Sequence, residues 1–260
     1  MQQNQNELNK VKLHPLSSVK KVIGVVGGKG GVGKSTICSM LAVSMQRRGY
    51  NVGILDGDLT GPSIAKAFGF DNGYCEGTEE GIFPVFTKMG TQLISMNLLL
   101  DNNTDPIVWR GIVLAEYLKK FFSKVIWTEV DYMFVDMPPG TGDIPLTVMQ
   151  DLPIDGVVAV TTPQSLAKDV ATKALNMAKM LNVPILAVVE NQSYFDCPKC
   201  GKKHYIYGES DVEGFAKKFG VDVTATLPIN GDFANQADRG LIELYEGDYL
   251  ENIVDRIEQC

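Results

Sequence analysis

The chain has 260 residues, 45% of them hydrophobic and 21% charged, with a formal net charge of −7. That length can bury the core of one domain, and the acidic balance lacks the basic footprint of a nucleic-acid binder. No apolar run is long enough to span a bilayer, and the five cysteines are too few and uneven for a disulfide framework. The Gln/Asn-rich stretch Met1–Asn9 has no apolar centre and so is no secretory leader, which makes the cytoplasm the expected compartment. Residues 1–18 are polar and are expected to form a flexible N-terminal tail, with a single domain over 19–260.

From Val19 onward the apolar pattern alternates between short Val/Ile-rich runs and helical periodicity. Strands are predicted at 20–26, 51–56, 131–136, 156–161, 184–190 and 223–227, several of them nearly all apolar, as in a parallel sheet covered on both faces. Helices are predicted at 34–48, 105–122, 143–150, 165–181, 209–219 and 246–258, with Asp105-Pro106 as cap and first turn of the second. Another helix opens at Gly61-Pro62-Ser63. Between 82 and 96, two apolar runs flank Lys88-Met89-Gly90 and read as a hairpin inserted beside the main sheet. The expected fold class is therefore α/β: three layers around a mostly parallel sheet.

The first strand runs into Gly27-Gly28-Lys29-Gly30-Gly31-Val32-Gly33-Lys34-Ser35-Thr36 and then a helix. Strand, glycine loop and helix N-terminus in this order make a phosphate cradle, the P-loop. Backbone N–H groups form a concave nest and the helix dipole adds partial positive charge. Lys34 can reach the β- and γ-phosphates of ATP, and the Ser35 hydroxyl can bind Mg²⁺. Two further strands end in acids, at Asp56 (with Asp58 after it) and at Asp136, and the carboxyl ends of such strands hold ligands. Asp56 or Asp58 can position a water or hold Mg²⁺ through one; as plain residues they are turn formers. Asp136 is the candidate for the second shell of Mg²⁺, followed by the shaped loop Met137-Pro-Pro-Gly-Thr-Gly142. Asn191 closes another apolar strand and offers a donor and an acceptor to an adenine edge.

Cys197-Pro-Lys-Cys200-Gly is the second strong signal. Two thiolates in one turn can bind a soft metal centre, yet two ligands do not complete a four-ligand site. A second copy of the chain would supply the other two. Four thiolates suit [4Fe–4S] or Zn²⁺, and a redox dithiol is a third reading. Cys38, inside the first helix, reads as a buried apolar filler.

Lys29 and Lys34, five residues apart, make the loop similar to the variant loop of dimeric ATPases of the MinD, ParA and nitrogenase-iron-protein kind. That resemblance implies a homodimer closed face to face around ATP, with Lys29 reaching the partner's nucleotide. More narrowly, the chain resembles the Mrp/ApbC family of iron–sulfur cluster carrier ATPases from about residue 20 onward. The carrying segments are Gly28–Thr36, Asp56-Gly-Asp58-Leu-Thr-Gly-Pro-Ser63, Trp109-Arg-Gly111, Val130–Asp143, Thr161-Thr-Pro-Gln164 and Val189–Phe195 with the cysteine pair. The resemblance implies ATP hydrolysis, slow and coupled to the cargo, with Lys29, Lys34, Ser35, Asp58 and Asp136 at the nucleotide and Cys197 and Cys200 holding a labile [4Fe–4S] cluster; Asp56 joins Lys29, Lys34 and Asp58 as a catalytic candidate from its place at the strand end. Apo iron–sulfur proteins are the implied acceptors, with no nucleic acid or membrane partner. A partitioning or division-type ATPase on DNA or membrane and a zinc-stapled ATPase dimer are the competing readings. The acidic polar face of Glu251–Cys260 speaks against the first of these. Here Ile112-Val113 replace the Pro-Met that usually follows Trp-Arg-Gly, and Gln192 replaces a frequent Met.

Overall fold

Short runs of Val and Ile have no polar face to offer water, and in this chain they stack side by side with helices on both faces. A computed structural model describes residues 10–58, 63–70, 75, 77–99 and 111–260, without the side chains of 111–114. In chain order the strands are β1 (Val19–Gly27), β2 (Val52–Asp56), β3 (Val85–Phe86), β4 (Gln92–Ile94) and β5 (Val130–Asp136). They continue as β6 (Gly156–Thr161), β7 (Ile185–Asp196), β8 (Lys203–His204) and β9 (Thr224–Pro228). The helices are α1 (Lys34–Arg47), α2 (Ile64–Ala67), α3 (Gly111–Lys124) and α4 (Asp143–Asp151). After them come α5 (Ser165–Met180), α6 (Val212–Lys217), α7 (Gly231–Asp238) and α8 (Glu251–Glu258).

The strand order is β3-β4-β2-β5-β1-β6-β7, with β9 along β7 from Val188 to Tyr194 and β8 on its far end. All neighbours are parallel except β3–β4 and β7–β8. The carboxyl ends of β1, β2, β5 and β6 thus share one edge, and β7 runs out past it. Side chains alternate between faces. Val22, Met133, Val135, Val157 and Ala159 pack with residues of α3, α4, α5 and α6, and Ile23, Ile54, Phe134, Val158 and Val160 with residues of α1, α2 and α8. Two apolar layers on one sheet make the expected three-layer arrangement.

Differences from the predicted elements are local. The hairpin exists, with Val85 opposite Leu93, but β4 also pairs parallel with β2, so it extends the main sheet instead of standing beside it. Helix α7 escapes apolar periodicity because none of its residues is buried; its sequence signal is the cap, Asn230 Oδ1 accepting from Asp232 N–H at 2.8 Å. The expected start of α3 at Asp105-Pro106, Trp109-Arg110 and the 59–62 stretch lie outside the described residues, as do 1–9. Residues 10–18, expected within the flexible tail, are tied to the body. Val11 N–H donates to Asp151 O at 2.8 Å, Ser18 N–H to Trp127 O at 2.9 Å, and Val11 and Leu13 pack on the core. A few apolar side chains amid polar ones suffice for that, and composition averages over them.

Candidate functional site

β1 ends at Gly27 and α1 begins at Lys34, so the loop between them turns the chain from sheet to helix within a few residues. Gly33 permits this turn: its φ is +85°, and a Cβ there would come within 2.2 Å of the Asn191 amide nitrogen. Gly28 is equally constrained, since a Cβ would meet Ala171 N of α5 at 2.4 Å. No side chain caps α1 and no acid stands in its first turn. Its first N–H groups are therefore left for a ligand, and the dipole makes that ligand an anion. The cleft above them is lined by residues 29–36 with Asp58, Ser63 and Pro139. Lys29 stands exposed on its rim.

Parallel pairing places Asp56 directly beside Asp136. By strand alternation both share the face of Ile54 and Phe134, the α1 face, and both are fully buried. They therefore meet the start of α1. Lys34 Nζ lies 2.5 Å from Asp136 Oδ1, and Ser35 Oγ donates to Asp136 Oδ2 at 2.6 Å. Asp56 accepts from Ser95 Oγ at 3.0 Å and from Asp58 N–H at 3.2 Å. Burial works against the Lys34 ammonium, but the charge and hydrogen bond of Asp136 outweigh it and its pKa is raised. Burial drives the Asp56 carboxyl up to about 7, with the Asp136 charge adding to it and Lys34, Ser95 and Asp58 N–H pulling back. Burial raises Asp136 as well, against Lys34 and Ser35. Two buried carboxylates face one buried ammonium, so the balanced arrangement is one proton shared between the carboxylates.

Asn191 stands on the far side of the loop. Its Nδ2 donates to Val32 O at 3.0 Å and its Oδ1 accepts from Gln192 N–H at 2.9 Å. A second cleft opens there, between Gly33, Thr36 and Met40 on one wall and Asn191, Pro228 and Phe233 on the other. Three groups that the sequence reading did not single out also serve this edge: Ser95, Lys168 and Glu190. Glu190 carries the same signal as Asp56 and Asp136, an acid closing an apolar strand.

β7 continues from Asn191 through Tyr194 into the cysteine turn. Tyr194 O accepts from Ile229 N–H at 2.6 Å, and Lys203 Nζ sits 3.9 Å above the Tyr194 ring. Pairing of Phe195 with His204 and of Asp196 with Lys203 closes a hairpin whose tip is Cys197–Cys200. Cys197 N–H donates to Lys202 O at 3.0 Å and Gly201 N–H to Cys197 O at 2.8 Å, with Gly201 at φ +68°. The N–H groups of Lys199 and Cys200 then point at the Cys197 sulfur and lower its pKa, joined by the Cys200 thiol. This knuckle favours a thiolate and sets two sulfurs for one soft centre. Among the described residues no cluster of three or more His, Cys, Asp or Glu could hold a metal ion. His204 is exposed beside the knuckle and Cys38 is buried, as a filler should be.

These features meet in one family of proteins. The family model described as ParA, "NUBPL iron-transfer P-loop NTPase", matches residues 18–258. The chain belongs to this family. The iron–sulfur cluster carrier protein of Clostridium perfringens is 42% identical to it over 88% of this chain and 82% of its own length. That of Methanocaldococcus jannaschii is 40% identical over 93% of this chain and 85% of its own. Among solved structures, the nucleotide-binding protein of Archaeoglobus fulgidus, in complex with ADP and with Co found, shares 40% identity at a TM-score of 0.80, covering 90% of this chain and 91% of its own. The cell division ATPase MinD of Pyrococcus furiosus, at 19% identity and a TM-score of 0.65, shares the fold over 92% of this chain and 98% of its own. This NUBPL-type P-loop NTPase thus has the expected fold and the expected family, with the nucleotide loop and the thiol knuckle on one edge of its sheet.

Proposed function

We propose that this chain is an ATP-dependent iron–sulfur cluster carrier that works as a homodimer. The observation that carries the reading is β7 itself: one strand bears both the Asn191 contact to the phosphate loop and the Cys197–Cys200 knuckle. Loop N–H groups and Lys34 hold the phosphates of ATP, and Asn191 with the cleft beside it takes the base. The donor set of Ser35 and Asp136, all hydroxyl and carboxylate oxygen, fits Mg²⁺, with Ser35 as direct ligand and Asp136 behind it. Bound there, Mg²⁺ would supply positive charge to the β- and γ-phosphates. Asp58, in the wall of the phosphate cleft, orients the attacking water, and Asp56 supports it from the buried side. Lys29 reaches the partner's nucleotide from its rim position.

Each chain offers two thiols, and a second copy completes the four-sulfur site that holds the [4Fe–4S] cargo. The hairpin suits such a contact: Phe195, Tyr205, Ile206 and Tyr207 are all exposed around it. Lys199, Lys202 and Lys203 surround the anionic centre that four thiolates would make. ATP binding shifts the affinity of the knuckle for its cargo, a coupling of about 1–3 kcal/mol, and apo-proteins receive the cluster. In α8, Ile253, Val254 and Ile257 are packed in the core, and Arg48 pairs with Glu251, Asp255 and Glu258. That helix has no apolar face left for a membrane, which argues against the partitioning reading. The two close sulfurs also suit one tetrahedral zinc ion, and colour separates the two metals.

Anaerobic reconstitution with iron and sulfide should yield a brown dimer with one cluster per two chains, and Cys197→Ala should retain none. A monomer holding a full complement of iron would overturn the proposal. Cluster transfer to an acceptor should differ among ATP, ADP and the Lys34→Ala variant; three equal rates would remove the coupling.

A further inference from the structure

Glu190 and Asn191 are neighbours in β7, and neighbours in a strand point to opposite faces. Asn191 goes to the α1 face and grips the loop at Val32 O, 3.0 Å away. Glu190 goes to the α5 face and is fully buried. There its Oε1 accepts from Ser193 Oγ at 2.8 Å, and its Oε2 lies 3.1 Å from Lys168 Nζ. The ammonium approaches as an ion pair without an aligned hydrogen bond, so Oε2 keeps unsatisfied capacity. Lys168 belongs to the first turns of α5, the helix whose backbone at Ala167–Ala171 presses on Gly28. The loop is therefore held at both ends: at Gly28 by α5, and at Val32–Gly33 by β7. What joins the two holders on this side is the pair Lys168–Glu190. Just beyond it β7 carries a register shift and places Gln192 at φ +56°. A non-glycine residue keeps that conformation only where its surroundings impose it, and Glu190 with Ser193 and Asn191 with Gln192 N–H bracket it.

We infer that Lys168 and Glu190 are positioning residues for nucleotide binding: their ion pair closes a clamp that holds the phosphate loop in its ligand-ready shape. The inference rests on nucleotide binding at the loop and not on the metal reading. A buried carboxylate at this place costs desolvation that an apolar residue would avoid, so a role in holding α5 to β7 accounts for its presence.

The test is ADP titration by calorimetry on the full chain, as parent, Glu190→Gln, Lys168→Met and the double variant, alongside hydrogen exchange of the 28–33 amides. Each single variant should weaken ADP about tenfold, and the double should be no weaker than the singles, because both remove the same tie. Exchange at 28–33 should quicken while β5 stays protected. A merely structural pair would lower the melting temperature and leave both the Kd of the folded chain and the loop exchange unmoved. Parent-like affinity in both singles, unmoved loop exchange, or a hundredfold loss in the double would overturn the inference. Should Glu190→Gln fail to fold, Lys168→Met, whose side chain is 21% exposed, carries the test. A parent chain that takes up no ADP would strike the nucleotide reading itself, a result distinct from selective loss in the variants.

Discussion

The phosphate loop and the thiol hairpin are both fed by β7, yet they are assembled on opposite plans. At the loop, buried or half-buried functional side chains already have partners from the same chain: Lys34 and Ser35 on Asp136, Asp56 on Ser95, Asn191 on Val32. The hairpin has its backbone in order but leaves Cys200 exposed and supplies two sulfurs. Burial explains the contrast. Charges under the sheet edge must be compensated within the fold, whereas thiols at an exposed tip can wait for a metal and a second chain. On the proposed function, the site that binds before it acts is finished in advance, and the one that releases its cargo is left half-made.

The largest break in this contrast comes from Lys34→Ala. It strips the cation from a buried carboxylate, at a cost of about 3–5 kcal/mol in stability. Nucleotide binding should vanish from calorimetry while iron uptake per chain at the hairpin is kept; joint loss of both would mean that the two sites are not separately built. Asp56→Asn sharpens the electrostatic half. The folded carboxyl titrates near 7, above its ordinary 3.8. Between those values the folded chain holds a proton that the unfolded chain has lost, so this group costs stability as pH rises through that window, and its penalty is complete above about pH 7. The variant's stability relative to the parent should therefore grow by on the order of 2 kcal/mol from pH 4 to pH 8, with Asp136 taking up part of the same proton. Denaturant unfolding across that range checks it, and a flat difference would refute it. The smallest effect is Gly33→Ala. A side chain at left-handed φ costs about 1–2 kcal/mol, and here it also displaces Asn191, so ADP should bind about tenfold more weakly with the hairpin's metal content unchanged.

Much of the loop region was legible because its chemistry is contiguous. Gly28 to Ser35 fix spacing, turn and helix start within one stretch, and Asp56 and Asp136 each close an apolar run. Strand boundaries came within a residue or two for the same reason, since runs such as Val157–Val160 admit no other element; the exception is β7, which runs six residues past the predicted end at Glu190 to Asp196, through largely polar residues that carry no strand pattern. Ser95 and Lys168 were missed because their meaning is set by partners far along the chain; Ser95 meets Asp56 only once β4 lies against β2. Glu190 carried the same strand-closing signal as Asp56 and Asp136, but Asn191 beside it was read as the closing residue. The hairpin was half legible. Its two cysteines announce a soft metal, but the N–H groups aimed at the Cys197 sulfur depend on the turn at Gly201, which spacing alone does not give.

β7 also acts as a ruler. Cys197 lies six positions past Asn191, and even a fully stretched chain spans at most about 21 Å over that count. Because β7 is extended over most of that interval, the knuckle and the loop contact of Asn191 stand apart within one subunit. On the proposed function, a signal between them within one subunit would pass along the backbone of β7, across the register shift and the positive φ at Gln192.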